Sequence, residues 1–122
     1  MPETKVVLYR EDDGTVPFLD WLDSIPIKVL DKCRVRIERL EELGHELRRP
    51  ECDYLGQGIY ELRVGFQSVN YRMLYFFHGS AIVVLSHGLT KEQRVPSREI
   101  DQAVERMKKY QANPERHTYE DL

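Results

Sequence analysis

Cysteine is scarce in this chain, with only Cys33 and Cys52 among 122 residues. The two form no Cys-x-x-Cys pair, which argues against a disulfide-stapled scaffold and against a zinc module, so both read as free thiols. Long hydrophobic runs are missing too. No apolar stretch exceeds five residues, Met73 to Phe77 and Ala81 to Leu85 being the longest, whereas a membrane-spanning helix needs roughly 20. The N-terminus carries Glu3, Glu11, Asp12 and Asp13 without an apolar segment, unlike a signal peptide. A cytoplasmic protein that crosses no membrane is the expectation. No Gly-rich phosphate loop, nucleophile elbow or EF-hand spacing occurs, so no cofactor and no metal is expected. The lone tryptophan, Trp21, falls on the apolar face of a short helix and reads as core.

What is present describes an ordinary globular chain. Hydrophobic residues make up 41% and charged residues 32%, enough apolar surface to build a core at this length. The formal charge of −3 argues against indiscriminate nucleic-acid binding, whose affinity comes mainly from lysines and arginines that neutralise phosphates. Charge is unevenly placed, however. Residues 59–98 hold Arg63, Arg72, Lys91, Arg94 and Arg98 against only Glu61 and Glu92, a local balance of +3, and the remainder is net acidic. A local basic surface on an acidic protein points to a site that selects its anion.

Lys5 to Arg10 reads as a first strand, closed by the turn signal Glu11-Asp12-Asp13-Gly14. Thr15 and Pro17 open a short helix carrying Phe18, Trp21, Leu22 and Ile25 at helical spacing. A second helix shows the stripe Leu30, Cys33, Ile37 and Leu40 and ends near Gly44. His45 to Gly58 loses periodicity and reads as a surface loop. Three strands follow, Ile59 to Val64, Val69 to Phe77 and Ala81 to His87, the last two joined by His78-Gly79-Ser80, with His78 expected in the open. After a polar connection from Lys91 to Arg98, Ile100, Ala103, Val104 and Met107 outline a helix capped by Ser97. The expected order is β-α-α-β-β-β-α. That makes an α+β domain over residues 1–110, with helices packed on one face of a small antiparallel sheet and a polar tail over 111–122.

Arg63 and Arg72 fall on adjacent predicted strands, where they can share a face, and the guanidinium fork suits bidentate phosphate binding, with an ion pair to Glu61 or a helix carboxylate as the alternative. Lys91, Gln93 and Arg94 follow the last strand, where a loop can lift polar groups over the sheet edge toward a nucleic-acid strand. Arg98 belongs to the same basic stretch. His87 ends an apolar strand and titrates near neutral pH, which suits either proton transfer or a backbone contact at the turn. Tyr60 and Tyr71 are candidates for acid, base or base-stacking platform, with core packing as the alternative.

The stretch Ile59 to Ala103 carries an ELR strand, a YR-x-x-Y-F-F strand, an apolar strand ending in His-Gly, a K-x-Q-x-x-P connection and an E-I-x-x-A helix start. In that order and spacing it resembles the phage-related HigB branch of the RelE/ParE toxin superfamily, and the likeness extends over residues 5–110. The resemblance implies a RelE-like fold and a toxin that cleaves messenger RNA on ribosomes without a metal, inhibited by a helix-turn-helix, HigA-like antitoxin. It further implies catalytic roles for Arg63, Arg72, Lys91 and His87, and RNA-binding roles for Tyr71, Gln93, Arg94 and Arg98. Two positions depart from the pattern. Glu92 stands where relatives often carry a second lysine, and Leu89 where many have an aromatic residue, changes that weaken phosphate attraction. A ParE-like protein that binds DNA gyrase without cleaving RNA, and a degenerate relative acting only as an antitoxin-bound regulator, are the alternatives.

Overall fold

The computed structural model describes residues 4–90 and 94–120. Five strands form in chain order before the long C-terminal helix: β1 (Lys5–Tyr9), β2 (Cys52–Gly56), β3 (Ile59–Phe66), β4 (Val69–His78) and β5 (Ile82–Thr90). The helices are α1 (Pro17–Leu22), α2 (Ile27–Leu43), α3 (Ser97–Ala112) and the short α4 (Pro114–His117), and a two-residue β6 (Thr118–Tyr119) follows. Among the described residues the strands make one sheet in the order β2-β3-β4-β5-β1-β6. The α+β class expected from the sequence is therefore the observed one. No helix among the described residues is long and apolar enough to cross a membrane.

Pairing is antiparallel from β2 through β5. β1 departs from the expected all-antiparallel sheet, because it lies parallel to β5 from Lys5 opposite Ile82 to Leu8 opposite Leu85. Helices also cover both faces rather than one. Val6, Leu8, Leu62, Met73, Tyr75, Val83 and Leu85 pack with α1 and α2, where Val29, Cys33, Ile37 and Leu40 supply the buried stripe. Val7, Tyr9, Leu74, Phe76 and Val84 pack on the opposite side with Ala103 and Tyr110 of α3. The unbroken apolar runs of β4 and β5 have this cause, since a strand covered on both sides cannot alternate apolar with polar. Cys33 and Cys52 are free and buried, and burial pushes the Cys33 thiol up to about 11.

Two segments expected to lack structure carry elements. The stretch 45–58 begins within a 3-10 turn (Gly44–Glu46) and contains the edge strand β2, which pairs Cys52 with Leu62 and Asp53 with Glu61. Residues 114–119 fold back instead of trailing off, with Leu8 opposite Tyr119 and Tyr9 opposite Thr118. His117 anchors that return. Its buried ring stacks on Tyr9 at 5.1 Å, and its Nδ1–H donates to the Arg10 carbonyl at 2.8 Å. His78 is half-buried rather than open, edge-on to Tyr110 at 5.0 Å.

β5 holds one irregularity that matters for the site. Leu74 faces His87 while Tyr75 faces Leu85, so Ser86 is an extra residue, a β-bulge. Strict alternation from Leu85 would turn His87 toward α1. The bulge turns it toward α3 instead, and leaves Gly88 under the Trp21 ring, where a Cβ would come within 2.0 Å of an indole carbon. Trp21 is half-buried against the α1–α2 core cluster, its expected environment.

Candidate functional site

The α3 side of the sheet changes character along its strands, from the β4–β5 hairpin toward the β3–β4 turn. Beyond the apolar rung Ile59–Phe76–Val84 comes Asp53–Glu61–Leu74–His87, and beyond that Arg63–Arg72–Leu89. Arg63 and Arg72 thus stand directly opposite each other, as the sequence leads one to expect. Like charges at opposed positions repel, and the carboxylate of Glu61 resolves the conflict. Its Oε1 accepts from Arg72 Nη1 at 2.8 Å, and its Oε2 accepts from Arg63 Nε at 3.0 Å. Asp53 on β2 accepts from Arg63 Nη2 at 2.9 Å and lies 3.4 Å from Arg49 Nη2.

Three guanidiniums share two carboxylates, leaving the cluster net positive. Glu61 is almost wholly buried, whereas the Arg63 side chain keeps 34% of its surface and Arg72 14%. The Nε–H of Arg72 is buried and finds no acceptor among the described residues. Two planar forks fixed by one carboxylate and, among the described residues, partly exposed make a cradle whose geometry suits a tetrahedral oxyanion such as a phosphate.

His87 sits in a second cluster under α3. Its Nδ1 lies 2.8 Å from Ser86 Oγ and 3.0 Å from Arg106 Nη1, and its Nε2 lies 2.9 Å from Glu99. A guanidinium only donates, so Nδ1 accepts and the single proton resides on Nε2, directed at Glu99. Burial, reinforced by the Arg106 charge, holds the imidazole below the ordinary histidine range despite the opposing pull of Glu99. Arg106 is itself buried and pairs with Glu11 at 3.1 Å. Tyr9, beneath Arg106 at 5.7 Å, is pushed up to about 12 by burial and the neighbouring Glu11.

The remaining expected residues scatter. Tyr71 points to the α1–α2 side, buried in that core and opposite Val64, so it shares no face with Arg72 and presents no ring for a base to stack on. Arg94 is exposed, and Arg98 is exposed with its Nε 3.7 Å from Glu99. Lys91 and Gln93 lie outside the described residues. Asp53, Ser86 and Arg106 are the members that sequence reasoning passed over, while Glu61 was expected only as an ion-pair partner of an arginine, a pairing that both Arg63 and Arg72 make. Glu61 had one available signal, its spacing of two from Arg63 on an alternating strand. Arg106, in contrast, looks like any polar helix residue until α3 is docked. Among the described residues no three or more His, Cys, Asp or Glu side chains gather in a way that could hold a metal ion.

Residues 20–108 match the model of a family described as phage-derived, Gp49-like proteins. The chain belongs to that family. No curated protein matches it. The matched span contains the whole arginine cradle together with Ser86, His87, Glu99 and Arg106, but stops short of α4 and β6. Glu11, the carboxylate partner of Arg106, and the C-terminal return both lie outside the match.

Proposed function

We propose that this Gp49-like protein is the toxin of a type II toxin–antitoxin pair and an endoribonuclease that cuts messenger RNA on the ribosome. The observation that carries the reading is the opposed Arg63–Arg72 pair, gathered on the buried Glu61 carboxylate and, among the described residues, partly exposed. RNA cleavage through the 2′-hydroxyl needs negative charge stabilised on the phosphate, a proton removed from the attacking oxygen and a proton delivered to the leaving 5′ oxygen. The arginines supply the first requirement. Attack of the 2′ oxygen on phosphorus forms one P–O bond as the bond to the 5′ oxygen breaks, leaving a 2′,3′-cyclic phosphate and a 5′-hydroxyl.

Proton transfer is assigned to Lys91, next in sequence after the end of β5, and to His87, which the bulge places on the arginine face one rung away. For His87 the role requires its Nε2–H to leave Glu99. Gln93, Arg94 and Arg98 contact the RNA strand beyond the cradle. The inhibitor is a helix-turn-helix antitoxin that covers the basic surface or blocks ribosome entry, and the resemblance to HigB-type toxins supports both the activity and this partner.

Induced expression in bacteria tests the proposal. Protein synthesis should stop and primer extension should show new 5′ ends within reading frames, with both effects absent for Arg72→Ala. Intact messages alongside gyrase-linked DNA breaks would replace this reading with the gyrase-binding one.

A further inference from the structure

A pocket of about 380 Å³ opens on the other side of the β2 edge, between the 3-10 turn and the sheet, within the range of roughly 300–1,000 Å³ usual for ligand sites. Its walls are aromatic. Tyr54 and Tyr60 lie 4.8 Å apart, Tyr60 stacks on Tyr75 at 5.3 Å, and the exposed His45 ring stacks on Phe77 at 3.6 Å. Tyr54 is 54% exposed, unusual for so large a ring. It is nonetheless fixed in place, because its hydroxyl accepts from the Gly58 amide at 2.9 Å. The hydroxyl bond and the Tyr60 contact hold the ring in place, and the half of its surface left exposed is a rigid face of the kind a stacking platform needs.

The rim of the pocket is basic. Arg48 donates to the carbonyls of His45 at 2.6 Å and Leu47 at 3.1 Å, which stiffens the loop wall. Arg49 is largely exposed and pairs with Asp53, and that same Asp53 oxygen bonds Arg63. One carboxylate thus joins the pocket rim to the arginine cradle around the edge strand. Aromatic walls beside spaced cationic groups are the chemistry that single-stranded nucleic acid requires, a π-face for each base and a positive charge for each phosphate.

We propose that this pocket is a base-binding subsite: it takes one unpaired nucleobase by stacking against Tyr54 and His45, while the adjoining phosphate passes Arg49 toward Arg63 and Arg72. The inference rests on reading the arginine cradle as an RNA-phosphate site. It adds a contact on the far side of the sheet edge that fixes the register of the strand relative to the cradle.

The test is fluorescence anisotropy with a 2′-O-methylated single-stranded RNA octamer, which cannot be cut through its 2′ oxygen, and with the same octamer made abasic at each position in turn. Removing one particular base should weaken wild-type binding about tenfold, the scale of one base–aromatic stack. Tyr54→Ala should bind the intact octamer about tenfold more weakly and no longer distinguish it from that abasic version. Tyr54→Phe, which keeps the ring but loses the hydroxyl that fixes it, should fall between wild type and Tyr54→Ala and still distinguish the abasic octamer, and His45→Ala, which leaves β2 untouched, should reproduce part of the Tyr54→Ala effect. If Arg63→Ala and Arg72→Ala weaken binding while Tyr54→Ala and His45→Ala do not, the subsite is wrong and the cradle stands. If none of the four substitutions weakens binding, both readings fall.

Discussion

The two polar clusters on the α3 side of the sheet are built from the same materials and do different work. Each sets arginine against carboxylate on a floor of strands. Arg106 reaches from α3 to Glu11 after β1 and to His87 on β5, so its contacts tie together three parts of the chain far apart in sequence. The Glu61 cluster links only neighbouring strands, β2, β3 and β4, which backbone hydrogen bonds already hold. The first cluster lies under a helix, while the second keeps an open side, with Arg63 a third exposed. On the proposed reading the covered cluster chiefly cross-links distant elements, with His87 released to the site only when its Nε2–H leaves Glu99, and the Glu61 cluster is the one offered to a ligand.

The largest effect expected from that contrast is on stability. Arg106→Ala leaves Glu11 and His87 without their buried partner and should cost about 2–3 kcal/mol, less than the full penalty of breaking a buried pair because Glu11 still reaches solvent. Urea unfolding measures it, and a loss below about 1 kcal/mol would erase the distinction between the clusters. Arg72→Ala leaves the buried Glu61 carboxylate to Arg63 alone and should cost about 1–2 kcal/mol, because one partner remains, while the cleavage rate falls about a hundredfold or more. Arg72→Lys should restore only part of that rate, since an ammonium cannot reproduce the guanidinium fork.

A sharper comparison removes the carboxylates. Glu61→Gln leaves two facing arginines short of a counter-charge, and inorganic phosphate entering the open side should recover melting temperature in the variant by more than it raises that of wild type. Glu11→Gln should gain nothing from phosphate, because α3 covers Arg106. Equal recovery in both variants would mean that the two clusters are equally accessible.

The smallest expected effect concerns pH. His87 is held neutral in the fold, below its ordinary value of 6.5, by burial and Arg106. The unfolded chain therefore binds the proton first as pH falls, so the stability His87 contributes is complete above about pH 6.5 and declines below it. His87→Gln should flatten that part of the stability profile between pH 7 and the folded-state value. A steeper decline in the variant would contradict the assignment of a neutral ring.

Much of this was legible in the sequence because it is local. The Leu30-to-Leu40 stripe marks α2, alternation marks β3, and the short spacing from Arg63 to Arg72 across a hairpin places both on one face with little freedom to do otherwise. The Gln67-Ser68 turn, with both residues at positive φ, is the tight connection that sets this register. Other features depend on partners distant in the chain. β1 is parallel to β5 because a central strand with two apolar faces needs a neighbour on each side, and nothing in Lys5 to Tyr9 names that neighbour. β2 was hidden by Arg48-Arg49-Pro50 before it and by glycines at its end, and at five residues it shows too little alternation to stand out. The Ser86 bulge was the costliest omission for the site, since counting by twos puts His87 on the wrong face. Tyr71, adjacent to Arg72, was grouped with it by sequence, yet neighbours on a strand point to opposite sides.

The central claim is that the Arg63–Glu61–Arg72 cradle holds the scissile phosphate of a messenger RNA. End-mapping of a defined message in a cell-free translation reaction tests it most directly. With wild-type protein, fragments should carry 2′,3′-cyclic phosphate and 5′-hydroxyl ends, and Arg72→Ala, folded to the same helix content, should leave the message whole. Fragments with the same ends and in the same yield from folded Arg72→Ala, or an intact message with wild-type protein, would contradict the account.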